Sequence, residues 1–293
     1  MTGDRQAPAP DTSRQTLGSD GEGPTLGWQT QEAASDAEDL VTICRSARLA
    51  PAAYRFYRAI LLSFVAHSRA PDPDEVAELA HAVDVPLAST LARMAAQDLL
   101  QRDPATGRIR AAYPFSGVPT PHWVALFADH SGEQTAQIEA QLFAMCALDA
   151  LGVPLMLRRA AYISSKDART GEAVTVLIRP PAGALDAPEP PATTPITIPA
   201  ADWRVRWDPV SVVVSARPAE HEAEHEAGLC LAEGTCCPIT NFFATRSTAQ
   251  AWLSQQPSVA LDGLVLDQQE ALYRAHALFA GVLDRLADER NAL

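Results

Sequence analysis

A thiol and a carboxyl group three residues apart, Cys146 and Asp149, lie inside the apolar run Ala144-Met145-Cys146-Ala147-Leu148-Asp149-Ala150-Leu151. If the run is helical, that spacing puts both groups on one face. Far along the chain, Thr235-Cys236-Cys237-Pro238 supplies two more thiols and leads into Asn241-Phe242-Phe243. Three of the five cysteines therefore sit in two short segments. Thiolates are the preferred ligands of soft metal ions, and a thiol that binds a metal must release its proton. A nearby carboxyl can collect that proton and deliver it to a reacting atom. Two thiols and one carboxyl thus make a soft-metal site with its own proton donor. An isolated cysteine in an apolar helix is ordinarily core. A carboxylate in the same run, costly to bury without a partner, and a paired Cys-Cys shift the balance toward chemistry. Adjacent side chains of an extended segment point to opposite faces, so Cys236 and Cys237 would not both reach one ion.

Other motifs are weaker. His221-Glu222-Ala223-Glu224-His225 fits the HExxH pattern, in which two histidines bind zinc and the glutamate acts as general base. Its surroundings are charged or small, and Leu231 stands where an extended motif would need a third histidine. A solvated helix is the plainer reading. Cys44 has no ligand-spaced partner, and Cys230 reads as loop packing. His122, in Thr120-Pro121-His122, reads as a structural hydrogen-bonding residue.

The elements that must position these groups follow from patterning. Residues 1–38, rich in Pro, Gly, Ser, Asp and Gln, read as a disordered acidic tail. Helical patterning starts near Asp39. Ala52–Ala66 reads as a buried helix, apolar on more than one face. Asp72-Pro73-Asp74 is a helix start, and Glu75–Val83 and Leu87–Leu100 read as helices. The turn Asp103–Gly107 then sits in a small hairpin. Helix, turn, helix and hairpin suggest a winged-helix-like domain over 39–112. Thr135–Leu151 reads as a helix holding the first cysteine. Ala161–Ser165, Ala173–Arg179 and Val210–Ser215 read as strands, and residues 180–200, with seven prolines, as an extended loop. Ala219–Ala227 reads as a polar helix, and Ser247–Gln255 and Asp267–Asp288 as closing amphipathic helices. The fold class is α+β, the N-terminal helical domain being followed by a mixed α/β core over 113–293.

The chain has 293 residues, 23 basic against 36 acidic, for a net charge of −13. That argues against nucleic acid or an anionic membrane as the partner. No apolar run reaches the length of a membrane span, and the N-terminus lacks the pattern of a signal peptide. The expected setting is the cytoplasm, where cysteines serve as free thiols, ligands or nucleophiles rather than disulfides.

Three blocks carry a resemblance to the organomercurial (alkylmercury) lyases. These are Tyr113-Pro114-Phe115-Ser116 with Thr120-Pro121-His122; Ala144 to Leu151; and Cys236-Cys237-Pro238 with Asn241-Phe242-Phe243-Ala244, running on to Trp252. The resemblance implies protonolysis of carbon–mercury bonds. It puts the roles of thiol, proton donor and second thiol on Cys146, Asp149 and Cys236, all three contacting the mercury, with Cys237 as a further candidate ligand. It implies no cofactor: mercury is substrate and product. Low-molecular-weight thiols or a mercuric reductase would take the metal away. A non-catalytic protein that binds or delivers a soft metal with the same thiols is the competing reading. Two departures stand out. The family often has a structural cysteine in the turn after the first strand, where this chain has Ser164-Ser165-Lys166-Asp167. Phe143 and Met145 occupy places where aromatic residues often precede the first cysteine.

Overall fold

The computed structural model describes residues 49–128, 137–181, 202–218, 237–256 and 261–283. The acidic tail, Cys44, most of the proline-rich loop, the His221–His225 motif, Cys230, Cys236 and the end of the last helix lie outside the described residues.

The described residues form six helices and eleven strands. Helix α1 (Pro51–His67) runs where an apolar helix was expected. Tyr54, Phe56, Tyr57, Ile60, Leu61 and Phe64 are all at most 1% exposed, each side chain contributing roughly 1.5–3 kcal/mol by burial. Helix α2 (Pro73–Ala82) begins at the expected signal. Asp72 accepts from the N–H groups of Asp74 and Glu75, and the Glu75 carboxylate accepts from the Asp72 N–H, a complete capping box. Helix α3 (Leu87–Ala96) leads into strands β1 (Leu100–Arg102) and β2 (Ile109–Ala112), which pair across the Asp103 turn.

The helix–helix–hairpin succession is therefore present, but the hairpin does not stand free as a wing. It is one end of an eight-stranded antiparallel sheet that continues through β3 (Phe115–Ser116), β5 (Ile138–Ala144), β4 (Trp123–Phe127), β6 (Ala161–Lys166), β7 (Ala173–Arg179) and β8 (Arg204–Asp208), in that order. One hydrophobic core runs from α1 through this sheet to the C-terminal helix. Two hydrogen bonds tie α1 to distant chain. Tyr54 Oη donates to the Val282 carbonyl (2.6 Å) and Tyr57 Oη to the Tyr113 carbonyl (2.6 Å).

One expected element is different. The helix read over Thr135–Leu151 is strand β5 from Ile138 to Ala144, and helix α4 (Ala147–Leu157) starts only after Cys146. Ala, Gln, Glu and Leu favour a helix locally. The strand wins because Ala140, Leu142 and Ala144 alternate into the core while β5 pairs with β3 and β4 on its two sides.

A second sheet of three antiparallel strands has β9 (Val212–Pro218) at its centre, between β10 (Asn241–Phe243) and β11 (Leu261–Leu266). Helices α5 (Arg246–Leu253) and α6 (Gln268–Phe279) pack on it. Helix α4 is apolar all round and lies between the layers, against β4, β5, β9, β10 and α6. Its approach to α6 depends on Gly152. A Cβ there would fall 2.1 Å from Phe279 Cδ2. Gly152→Ala should destabilise the protein in urea by up to about 2 kcal/mol, since overpacking costs ~1–3 kcal/mol against a helix-propensity gain of ~1 kcal/mol. An unchanged or higher midpoint would mean that Phe279 moves aside freely.

Candidate active site

Cys146 sits at the junction of β5 and α4, and the chain on either side of it is pinned. Phe115 pairs with Ala144 between β3 and β5. The Ala144 N–H donates to the His122 carbonyl (2.9 Å), and Thr120 Oγ1 donates to the Ala144 carbonyl (2.6 Å). The Met145 N–H donates to the Pro114 carbonyl (3.2 Å). The Tyr113–Ser116 and Thr120–His122 blocks thus hold the last residues before the cysteine. Cys146 is the N-cap of α4 in extended conformation, and its Sγ accepts from the Asp149 N–H at 3.5 Å. Asp149 is the third helical residue, so its carboxyl and the Cys146 thiol share the first turn, as the spacing suggested.

The second thiol arrives from the other sheet. Strand β10 is registered on β9 with Phe242 opposite Val213. The Ala147 N–H at the start of α4 donates to the Thr240 carbonyl (3.0 Å), and Asn241 Nδ2 donates to the Pro238 carbonyl (2.7 Å). This turn presents Cys237, whose Sγ donates to Asp149 Oδ2 at 3.7 Å. Ligand atoms of Cys146, Asp149 and Cys237 all lie within 4.8 Å of one another, and all three residues are buried. The second thiol that the structure places at this cluster is that of Cys237, the further candidate. Cys236, which the resemblance favoured, lies outside the described residues.

Burial dominates the electrostatics. It pushes the Asp149 carboxyl up to about 7, against hydrogen bonds from Cys146 and Cys237 that favour the carboxylate. Burial also pushes the Cys146 thiol well above its usual range, helped by its hydrogen bond with Cys237 and the Asp149 charge. In the free protein the Cys146 thiol keeps its proton, and the Asp149 carboxyl is poised near neutrality.

This has a consequence for stability. Between about pH 4 and about pH 7 the unfolded chain has lost the Asp149 proton that the folded protein keeps. Folding is then weakened as pH rises, by up to ~1.4 kcal/mol per pH unit, and the loss levels off above the folded value. Urea unfolding of wild type and Asp149→Asn across this window should show the variant gaining relative stability with pH. A difference independent of pH would mean that the carboxyl ionises normally in the folded protein.

A cavity of about 280 Å³ opens onto the site, its wall including Thr120, His122, Met145, Cys237, Pro238 and Asn241. Of the three clustered groups, Cys237 is the one on that wall. His122 is 2% exposed and its Nδ1 shares a hydrogen bond with Ser165 Oγ at 2.9 Å. Burial lowers its pKa to about 4, despite a hydrogen bond with Asn241. The hydrogen bond to Ser165 is the structural bonding expected of it, and burial keeps the ring neutral.

Residues 115–194 and 183–280, together more than half of the chain, match the family model described as MerB, alkylmercury lyase. An alkylmercury lyase of Staphylococcus epidermidis (strain ATCC 12228 / FDA PCI 1200) is 28% identical over 151 residues, 52% of this chain and 51% of that protein. The chain thus matches about half the length of that curated relative. The crystal structure of the mercury-bound form of MerB2 superposes with a TM-score of 0.56 at 18% identity, covering 86% of this chain and 99% of that one.

Proposed function

The chain belongs to the alkylmercury lyase family, and we propose that it cleaves carbon–mercury bonds by protonolysis, releasing a hydrocarbon and leaving Hg(II) on two protein thiolates. The observation that carries this reading is the buried cluster of Cys146, Cys237 and Asp149. A soft-metal store would need the sulfurs alone. A carboxyl raised to about 7 at the same point adds a proton donor.

The proposed steps balance as follows. An organomercurial R–Hg–X, with X a small thiolate, enters through the cavity and meets Cys237 first. One protein thiol displaces X, its proton leaving as HX. The second thiol transfers its proton to the Asp149 carboxylate as its sulfur bonds to mercury. Two sulfur donors raise the electron density on the bound carbon. Asp149 then protonates that carbon, the C–Hg bond breaks, and R–H departs. The sum is R–HgX plus two thiols giving R–H, HX and a mercury dithiolate. Mercury is substrate and product, and we propose no resident cofactor. Low-molecular-weight thiols of a cytoplasmic setting, or a mercuric reductase, would remove the metal.

The direct experiment incubates the purified protein with a phenylmercury or methylmercury thiolate and excess small thiol, and follows the hydrocarbon by headspace gas chromatography. Release over many turnovers is expected. Tight mercury binding with no hydrocarbon would instead identify a metal-binding or metal-delivery protein.

A further inference from the structure

The β6–β7 turn carries a buried carboxylate that the proposed reaction does not use. Asp167 is 1% exposed. Its Oδ1 accepts from the N–H groups of Arg169 (2.8 Å) and Thr170 (2.9 Å), closing its own turn. Its Oδ2 reaches across to the second sheet, accepting from the Ala244 N–H (2.8 Å) and from Thr248 Oγ1 (2.7 Å). Beside it, the Ala168 N–H donates to the Phe242 carbonyl (3.2 Å). Burial alone would raise the Asp167 pKa, but these hydrogen bonds outweigh it and hold the carboxyl below its ordinary value. Asp167 is therefore an ionised strut with four donors.

What it braces is strand β10. That strand lies at the edge of its sheet, with β9 on one side. Asp167 and Ala168 supply polar partners to Phe242 and to Ala244, just past the end of β10. From Ala244 the chain runs back through β10 to Thr240, whose carbonyl takes the Ala147 N–H, and then to Cys237. The turn bearing the second thiol is thus held at the α4 N-terminus and, through β10, at Asp167. We infer that Asp167 is a positioning residue for the Cys237 thiol: it anchors β10 so that this sulfur meets Cys146 and Asp149. The inference rests on the proposed use of these two thiols for mercury, not on cleavage itself.

Asp167→Ala and Asp167→Asn test it. Each is examined as the full chain for urea midpoint, for Hg(II) affinity in competition with a small dithiol, and for the rate at which a short bis-electrophile cross-links Cys146 to Cys237. The Ala variant should bind Hg(II) about tenfold or more weakly per folded molecule, part of the ~10²–10⁴-fold that two-point attachment supplies, and cross-link more slowly. The Asn variant should fall between, because its amide oxygen still serves the turn and its NH₂ can donate to Thr248 Oγ1. A residue of merely structural importance would move the urea midpoint alone. A folded Ala variant with wild-type affinity and cross-linking overturns the inference. If the Ala variant does not fold, wild-type affinity in the Asn variant overturns it and weakened affinity supports it. A wild type that binds Hg(II) but releases no hydrocarbon would sink the lyase reading and leave this measurement valid.

Discussion

Asp149→Asn should bind Hg(II) about as tightly as the wild type and release hydrocarbon from an organomercurial roughly 10²–10⁴-fold more slowly, the range for a lost general acid. Asn nearly keeps the shape of Asp and can still receive the Cys237 hydrogen bond, which in the wild type ends on Asp149 Oδ2. Both thiols remain, so the soft-ligand pair that determines affinity is intact. What disappears is the group able to take a proton from a thiol and give it to carbon. Affinity and hydrocarbon release must be measured on one preparation, the first by dithiol competition and the second by gas chromatography in a single turnover. Wild-type release by the Asn variant would remove Asp149 from the mechanism. Loss of affinity in step with loss of release would make it chiefly a structural or ligating group.

The sequence exposed half of this arrangement, for a physical reason. Cys146 and Asp149 are three residues apart, and any helix that includes Asp149 and begins at Cys146 brings them together. Reading the helix as starting at Thr135 was wrong, yet the pair survived the error because the cap and third position of α4 keep the same spacing. The α1 helix, the α2 start and the β6–β7 hairpin were legible because they rest on local signals: an apolar surface, a capping box, an Asp–Gly turn. Strand β5 was not, since its conformation depends on β3 and β4 lying on either side. The wing was half legible. Its hairpin is local, but its continuation into a large sheet is a long-range fact. Asp167 was read as the start of the Asp167–Gly171 turn and as part of the stretch where a family cysteine is missing, not as a strut to another element. Its turn is readable from Asp167-Ala168-Arg169-Thr170-Gly171, but its reach to Ala244 and Thr248 is not. The placement of the second thiol is of the same kind: the register of β10 on β9 and the Thr240 bond to Ala147 bring Cys237 to Asp149.

That choice yields the other large effect. Cys237→Ser should reduce hydrocarbon release to background and weaken Hg(II) binding on the order of 10²–10⁴-fold, the loss expected when two-point attachment becomes one-point. A hydroxyl is a hard donor and a poor substitute for thiolate on mercury. One remaining sulfur, Cys146, also cannot enrich the bound carbon with electrons as two do. Cys146→Ser should fail in the same way, and its hydroxyl can still cap α4, so the loss would not reflect a broken helix start. Cys236→Ser is the discriminating comparison. Cys237 already lies 3.7 Å from Asp149 Oδ2 and on the cavity wall. Cys236→Ser should therefore keep most of its activity. The reverse result, Cys236→Ser inactive and Cys237→Ser active, would hand the second-ligand role to Cys236, as the resemblance alone assigned it. Equal and partial losses in both variants would show that mercury passes between the two sulfurs, with Cys237 at the cavity mouth and Cys236 sharing the capture.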